Sequence, residues 1–130
     1  MDEPVLSKRC QLIKAKLASV YKQLVILNPD DADAHSHLGD ASYELGKYED
    51  AIAAYKEAIK LKPNDSLGHY NLAKAYIQIG NGDLASREYK ILKTLDRSLA
   101  KELADFIPKK NNKLNLICRF LLRKPVEQET

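Results

Sequence analysis

Apolar residues recur along this chain at helical intervals, and turn-forming residues break the recurrence at regular places. Positions 5, 6, 12, 13, 17, 20, 21, 24 and 27 are apolar between Val5 and Asn28, a spacing that predicts one long helix. Asn28-Pro29-Asp30 ends it, because Pro cannot continue a helix and Asn and Asp favour turns and caps. Ala32 to Leu45 and Tyr48 to Leu61 read as two further helices around a Gly46-Lys47 turn, and Lys62-Pro63-Asn64 stops the second. Asn64 and Asp65 then stand where an N-cap is needed. Ser66 to Ile79 and Asp83 to Leu95 repeat the arrangement around Gly80-Asn81-Gly82, and a short helix capped by Asp96 or Ser98 runs to Ile107 before Pro108. Leu99, Leu103, Phe106 and Ile107 form its expected buried stripe.

The second pair of helices restates the first. Leu38-Gly39, Ala51, Tyr55, Ala58 and Pro63 recur as Leu72-Ala73, Ala85, Tyr89, Leu92 and Arg97, every pair separated by the same interval. A period of about 34 residues is the mark of stacked helix-turn-helix units, none of which buries its apolar face alone. Gly39 and Ala73 are expected where paired helices cross closely, with Ala51, Ala54, Ala58 and Ala85 on the facing helices. Tyr43, Tyr55, Tyr76 and Tyr89 are expected to fill the space between, as core rather than contact residues.

These residues resemble the tetratricopeptide repeat family, whose signature is a small pair, spaced aromatics, alanines and a closing Pro. The segment DASYELGKYEDAIAAYKEAIKLKP is close to the family pattern. The second copy departs from it at Gly82, Leu92 and Arg97, as a terminal repeat does, and His35 and His69 occupy the family's tryptophan position. Shifted back by one period, Tyr55 and Pro63 fall on Tyr21 and Pro29, so the first helix reads as the second half of a preceding repeat. The resemblance implies an all-α fold, an α-α superhelix of stacked helix-turn-helix repeats with capping helices. The expected layout is an N-terminal half-repeat over 1–31, repeats over 32–65 and 66–99, a capping helix over 100–108 and a tail helix over 109–130.

In this family the first helix of each repeat lines a concave face that takes peptides. By helical phase, Asp33, Ser36, His37, Asp40, Tyr43 and Glu44 would face it from one repeat, and Leu67, Tyr70, Asn71, Lys74, Ile77 and Gln78 from the next. The chaperone-binding members grip a C-terminal carboxylate with cations. Here Ser36 and Asp40 stand at the first of those positions, and although Asn71 and Lys101 match others, Asp105 replaces the needed Arg, so an anionic terminus would be repelled.

Composition narrows the chemistry. With 45% hydrophobic and 30% charged residues the chain reads as one globular domain, without a signal peptide or an apolar run long enough to span a bilayer. Cys10 and Cys118 lack metal or redox spacing and read as reduced thiols of a cytoplasmic protein, although a bridge between them stays open. His35 and His37 would point about 200° apart on a helix, and Asp30, Asp31 and Asp33 lack the glycine and bidentate Glu of a calcium loop, so neither group suits a metal. No serine-hydrolase elbow, phosphate loop or zinc-protease motif occurs. The expected function is therefore non-catalytic protein or peptide binding, as an adaptor or assembly scaffold with no cofactor.

The charge sits unevenly. Residues 1–108 hold 15 Lys or Arg against 16 Asp or Glu, while Lys109, Lys110, Lys113, Arg119, Arg123 and Lys124 make the tail basic. From Leu114 to Arg123 only Asn115, Arg119 and Arg123 are polar, one stripe on an apolar helix in which Leu116, Phe120 and Leu121 would meet whatever covers it. Three readings stay open: an intramolecular cap, a self-association or partner helix that would make a homo-oligomer, and, least favoured, a helix lying on an anionic membrane. Nucleic-acid binding is weaker than any of these, because the cations are interleaved with apolar residues.

Overall fold

The computed structural model describes residues 2–106, with side chains from residue 8 onward. The described residues form six helices and no strand: α1 (Asp2–Leu27), α2 (Ala32–Glu44), α3 (Tyr48–Leu61), α4 (Ser66–Gln78), α5 (Gly82–Leu95) and α6 (Arg97–Phe106). The chain divides between Pro63 and Asn64 into two units. The tail expected over 109–130, with Leu116, Arg119, Phe120, Leu121 and Arg123, lies outside the described residues, as do Ile107 and Pro108.

In the first unit α2 packs against both α1 and α3. Asp31 starts α2, its Oδ1 accepting from the amides of Asp33 (3.0 Å) and Ala34 (3.3 Å). Gly46, at φ 80°, ends it: Lys47 N donates to Ser42 O and Gly46 N to Tyr43 O, both at 2.9 Å. That left-handed conformation suits glycine, and the paired bonds satisfy carbonyls the helix end leaves open. The core is built largely of alanines, with Ala34, Ala41, Ala51, Ala54 and Ala58 buried together with Tyr55. Small side chains let the helices approach, and Gly39 shows how closely. A Cβ placed there would lie 2.5 Å from the Tyr55 ring, which is itself buried.

The second unit repeats the device. Gly80 has φ 80°, Asn81 N donates to Tyr76 O (2.9 Å) and Gly80 N to Ile77 O (3.0 Å), the same bonds as at Gly46 one period later. Asn81 then caps α5, its Oδ1 accepting from Leu84 N at 3.1 Å. Helix α4 packs against both α5 and α6, and Leu72, Ala73, Tyr76, Ile77, Leu92 and Leu103 form the core.

Several local expectations are corrected. Asp65 precedes α4 but makes no side-chain capping bond. Of the two candidate caps for α6 it is Asp96 that acts, accepting from Leu99 N at 3.1 Å. Ala100 and Leu103, rather than Leu99, are the buried residues of α6, and Tyr89 is only half-buried, its ring beneath Lys93 Nζ at 5.7 Å. As a half-repeat, α1 should lay its apolar face on the first repeat, and it does so in small part. Only its Ala18 side is buried there, while Ile13, Leu17, Val20, Leu24 and Leu27 stay exposed.

Candidate functional site

The six positions expected to face a ligand from α2 lie along one side of that helix, and five of them are already engaged within the first unit. Asp33 pairs with Lys62 (3.6 Å) and Glu44 with Lys14 (3.3 Å). His37 stacks on Tyr21 with ring centroids 5.3 Å apart, and Tyr43 meets Tyr48 edge to face at 5.1 Å. Asp40 Oδ1 accepts a 2.6 Å hydrogen bond from the Tyr55 hydroxyl. Burial first, and then that bond and the Asp40 charge, push the Tyr55 phenol far above its ordinary range, so it remains a donor. Asp33, His37, Asp40 and Glu44 are exposed, and Ser36 and Tyr43 are half-buried. What results is an outward face dominated by carboxylates, in which His37 and Tyr43 are each held by a ring contact. The exposed ion pairs contribute little to stability, so their carboxylates can exchange partners at small cost.

On α4 the expected positions separate. Leu67 is exposed, and Tyr70, Asn71, Lys74 and Gln78 are half-buried. Ile77 is 0% exposed and is corrected from a contact residue to a core residue. The reason is α6: with helices packed on two sides, α4 buries a wider arc than a two-helix unit would require. The same helix organises the cation. Lys74 Nζ lies 5.3 Å from the Tyr70 ring centroid and 5.1 Å from that of Phe106, an aromatic pair around one ammonium. In sequence Phe106 reads only as part of a buried stripe, and its i, i+3 relation to Leu103 gives no sign of contact with Lys74. Tyr70 is shifted upward by burial and by the Glu102 charge, so it too stays a neutral phenol.

Two of the histidines are held by hydrogen bonds. His35 Nε2 donates to Pro29 O at 2.9 Å, and buried His69 donates through Nδ1 to Glu88 Oε1 at 2.6 Å. These bonds tie α2 to the turn before it and α4 to α5. Among the described residues no cluster of three or more His, Cys, Asp or Glu is disposed to hold a metal ion, and no helix is long and apolar enough to cross a membrane.

Comparison with known proteins agrees with this architecture. Residues 39–80 match the family model of the TPR repeat. Among solved structures, MamA superposes with a TM-score of 0.64 at 22% identity, over 86% of this chain and 66% of that one. The type III secretion translocator chaperone SycD of Yersinia enterocolitica gives 0.60 at 17% identity, over 98% and 83%. PcrH, solved in complex with the chaperone binding region of PopD, gives 0.57 at 18% identity, over 100% and 97%. No curated protein matches the sequence. The fold is all-α and built of helix-turn-helix repeats, and residues 39–80 carry the tetratricopeptide repeat pattern.

Proposed function

We propose that the chain is a non-catalytic interaction module that binds a peptide segment of a protein partner through the outward faces of its repeat helices. The observation that carries this reading is the α4 face: Tyr70, Asn71, Lys74 and Gln78 present a phenol, two amides and an ammonium along one side of a helix fixed by α5 and α6. Rigid elements carrying mixed hydrogen-bonding groups and an aromatic surface suit an extended chain, whose backbone amides need partners when water is displaced. Lys74, seated between two rings, adds selectivity for a peptide with an acidic residue. The carboxylate-rich face of α2, with Asp33, Asp40 and Glu44, favours a basic segment by the same reasoning. The solved complex of PcrH with a region of PopD supports peptide capture as a use of this fold, and the chaperone likeness supports an adaptor or assembly role.

The test is selection of peptides from a random library on the full chain, followed by calorimetry of the enriched sequences. Binding is expected in the micromolar range, weakened at least tenfold by Lys74→Glu and by Asn71→Ala, with the helical circular dichroism retained. Failure to enrich any peptide, or affinities indifferent to both substitutions, would remove the α4 face from consideration.

A further inference from the structure

Helix α1 carries an open seam. Cys10, Ile13, Leu17, Val20, Leu24 and Leu27 follow one another at intervals alternating between three and four positions, the heptad spacing of a two-helix contact. All are exposed: Ile13 is 58% accessible, Val20 52% and Leu27 72%. The side of α1 that packs on α2 is a different one, marked by buried Ala18 and by Lys14 and Tyr21 with their α2 partners. A run of branched apolar side chains in water along most of a 26-residue helix is the kind of surface that another helix covers.

We infer that this seam is the interface with a second copy of the same helix, packed antiparallel. The length of the seam argues for a like helix. From Cys10 to Leu27 it extends roughly 25 Å along the axis, whereas the apolar window of the tail, Leu114 to Leu122, would cover about half of that. Orientation follows from charge. From Lys8 to Leu27 helix α1 carries Lys8, Arg9, Lys14, Lys16 and Lys22 and no acid. Parallel pairing would set Arg9 of one copy beside Lys14 of the other, like charges flanking the seam. Antiparallel pairing layers Leu17 on Val20, Ile13 on Leu24 and Cys10 on Leu27, and it places Lys16 beside Gln23 and Lys14 beside Tyr21. Lys14 and Lys16 then meet neutral neighbours, and Arg9 lies opposite no residue of the partner helix.

The experiment uses the full chain carrying Cys118→Ser, which leaves Cys10 as the single thiol. Its solution mass should be twice 14.7 kDa, falling to the single-chain value in Leu17→Lys/Val20→Lys with helical dichroism retained. Adding Leu27→Cys should give a disulfide-linked dimer under mild oxidation, while Cys118→Ser alone should not cross-link. A monomeric full chain, or a dimer that survives the two lysines, would overturn the inference and turn attention to the tail or a partner helix. Cross-linking through Cys10 alone, or none with Leu27→Cys, would overturn the antiparallel arrangement.

Discussion

Helices α1 and α3 lie one 34-residue interval apart in the sequence, yet they meet their surroundings in opposite ways. Leu17, Val20 and Leu24 stand one period before Ala51, Ala54 and Ala58. In α3 those three positions are buried, at 0%, 6% and 3% exposure, in the helix pair formed with α2. In α1 they are larger and remain open, at 45%, 52% and 37%. The helical frame is shared, and Tyr21 and Tyr55 both reach across to α2, one to stack on His37 and the other to cover Gly39 and bond Asp40. Side-chain size follows the presence of a close neighbour. A helix packed tightly within its own chain needs alanine where backbones approach, and one with no such neighbour can carry leucine and valine.

The most disruptive way to break the α3 arrangement is at Gly39. A Cβ there would meet the Tyr55 ring at 2.5 and 2.6 Å, and that buried ring has little room to withdraw. Gly39→Leu should cost about 3 kcal/mol by overpacking, well beyond the ~1 kcal/mol that replacing glycine gains in helix propensity. The melting temperature should fall by more than about 10 °C. An unchanged melting curve would mean that the α2–α3 crossing is looser than described.

Next is the exchange of side-chain size itself. Ala51→Leu installs in α3 the residue that α1 carries at the equivalent place, and the site is fully enclosed. The expected loss is about 1–3 kcal/mol, read from urea unfolding as a lower midpoint with an unchanged slope. If the leucine were tolerated at no cost, the size rule drawn from the two helices would fail.

Tyr55 offers a smaller effect with a pH signature. Tyr55→Phe keeps the ring over Gly39 and removes the hydroxyl bond to Asp40, for an expected loss of roughly 1–2 kcal/mol. The folded state holds the phenol proton more tightly than the unfolded chain does, so this contribution is present below about pH 10, the unfolded value. It disappears as pH rises beyond that. Stability should therefore fall more steeply above pH 10 in the natural sequence than in Tyr55→Phe. Tyr70 and Tyr76 are shifted in the same direction and leave part of the slope in both proteins.

The repeat period is legible in the sequence because the turn glycines, the alanines and the tyrosines are local signals. Gly46 and Gly80 adopt the same left-handed turn for the reason their spacing suggests. Less legible is anything that depends on which helix lies beside which. Ile77 has the phase of an outward residue and is buried because α6 folds back onto α4, a contact that no residue of α4 encodes by itself. The pairing of Lys74 with Phe106 joins α4 to the end of α6 across the whole of α5, and the Tyr55–Asp40 bond crosses between helices. The seam of α1 is visible as an apolar periodicity. Its exposure is not, since periodicity gives a face and not the neighbour that covers it.

The smallest effect tests the other half of the comparison. Leu17→Ala gives α1 the alanine that α3 has, at a position 45% exposed within the single chain. Little packing is lost there, and alanine is at least as good a helix former as leucine, so at high dilution the change in unfolding free energy should stay within about 0.5 kcal/mol. The same substitution removes one layer of the proposed seam, so self-association should weaken in concentration-dependent sedimentation while thermal stability at high dilution stays as it was. A loss in dilute protein as large as that of Ala51→Leu would show instead that Leu17 is held by its own chain. The distinction between the two helices would then rest on the alanines alone.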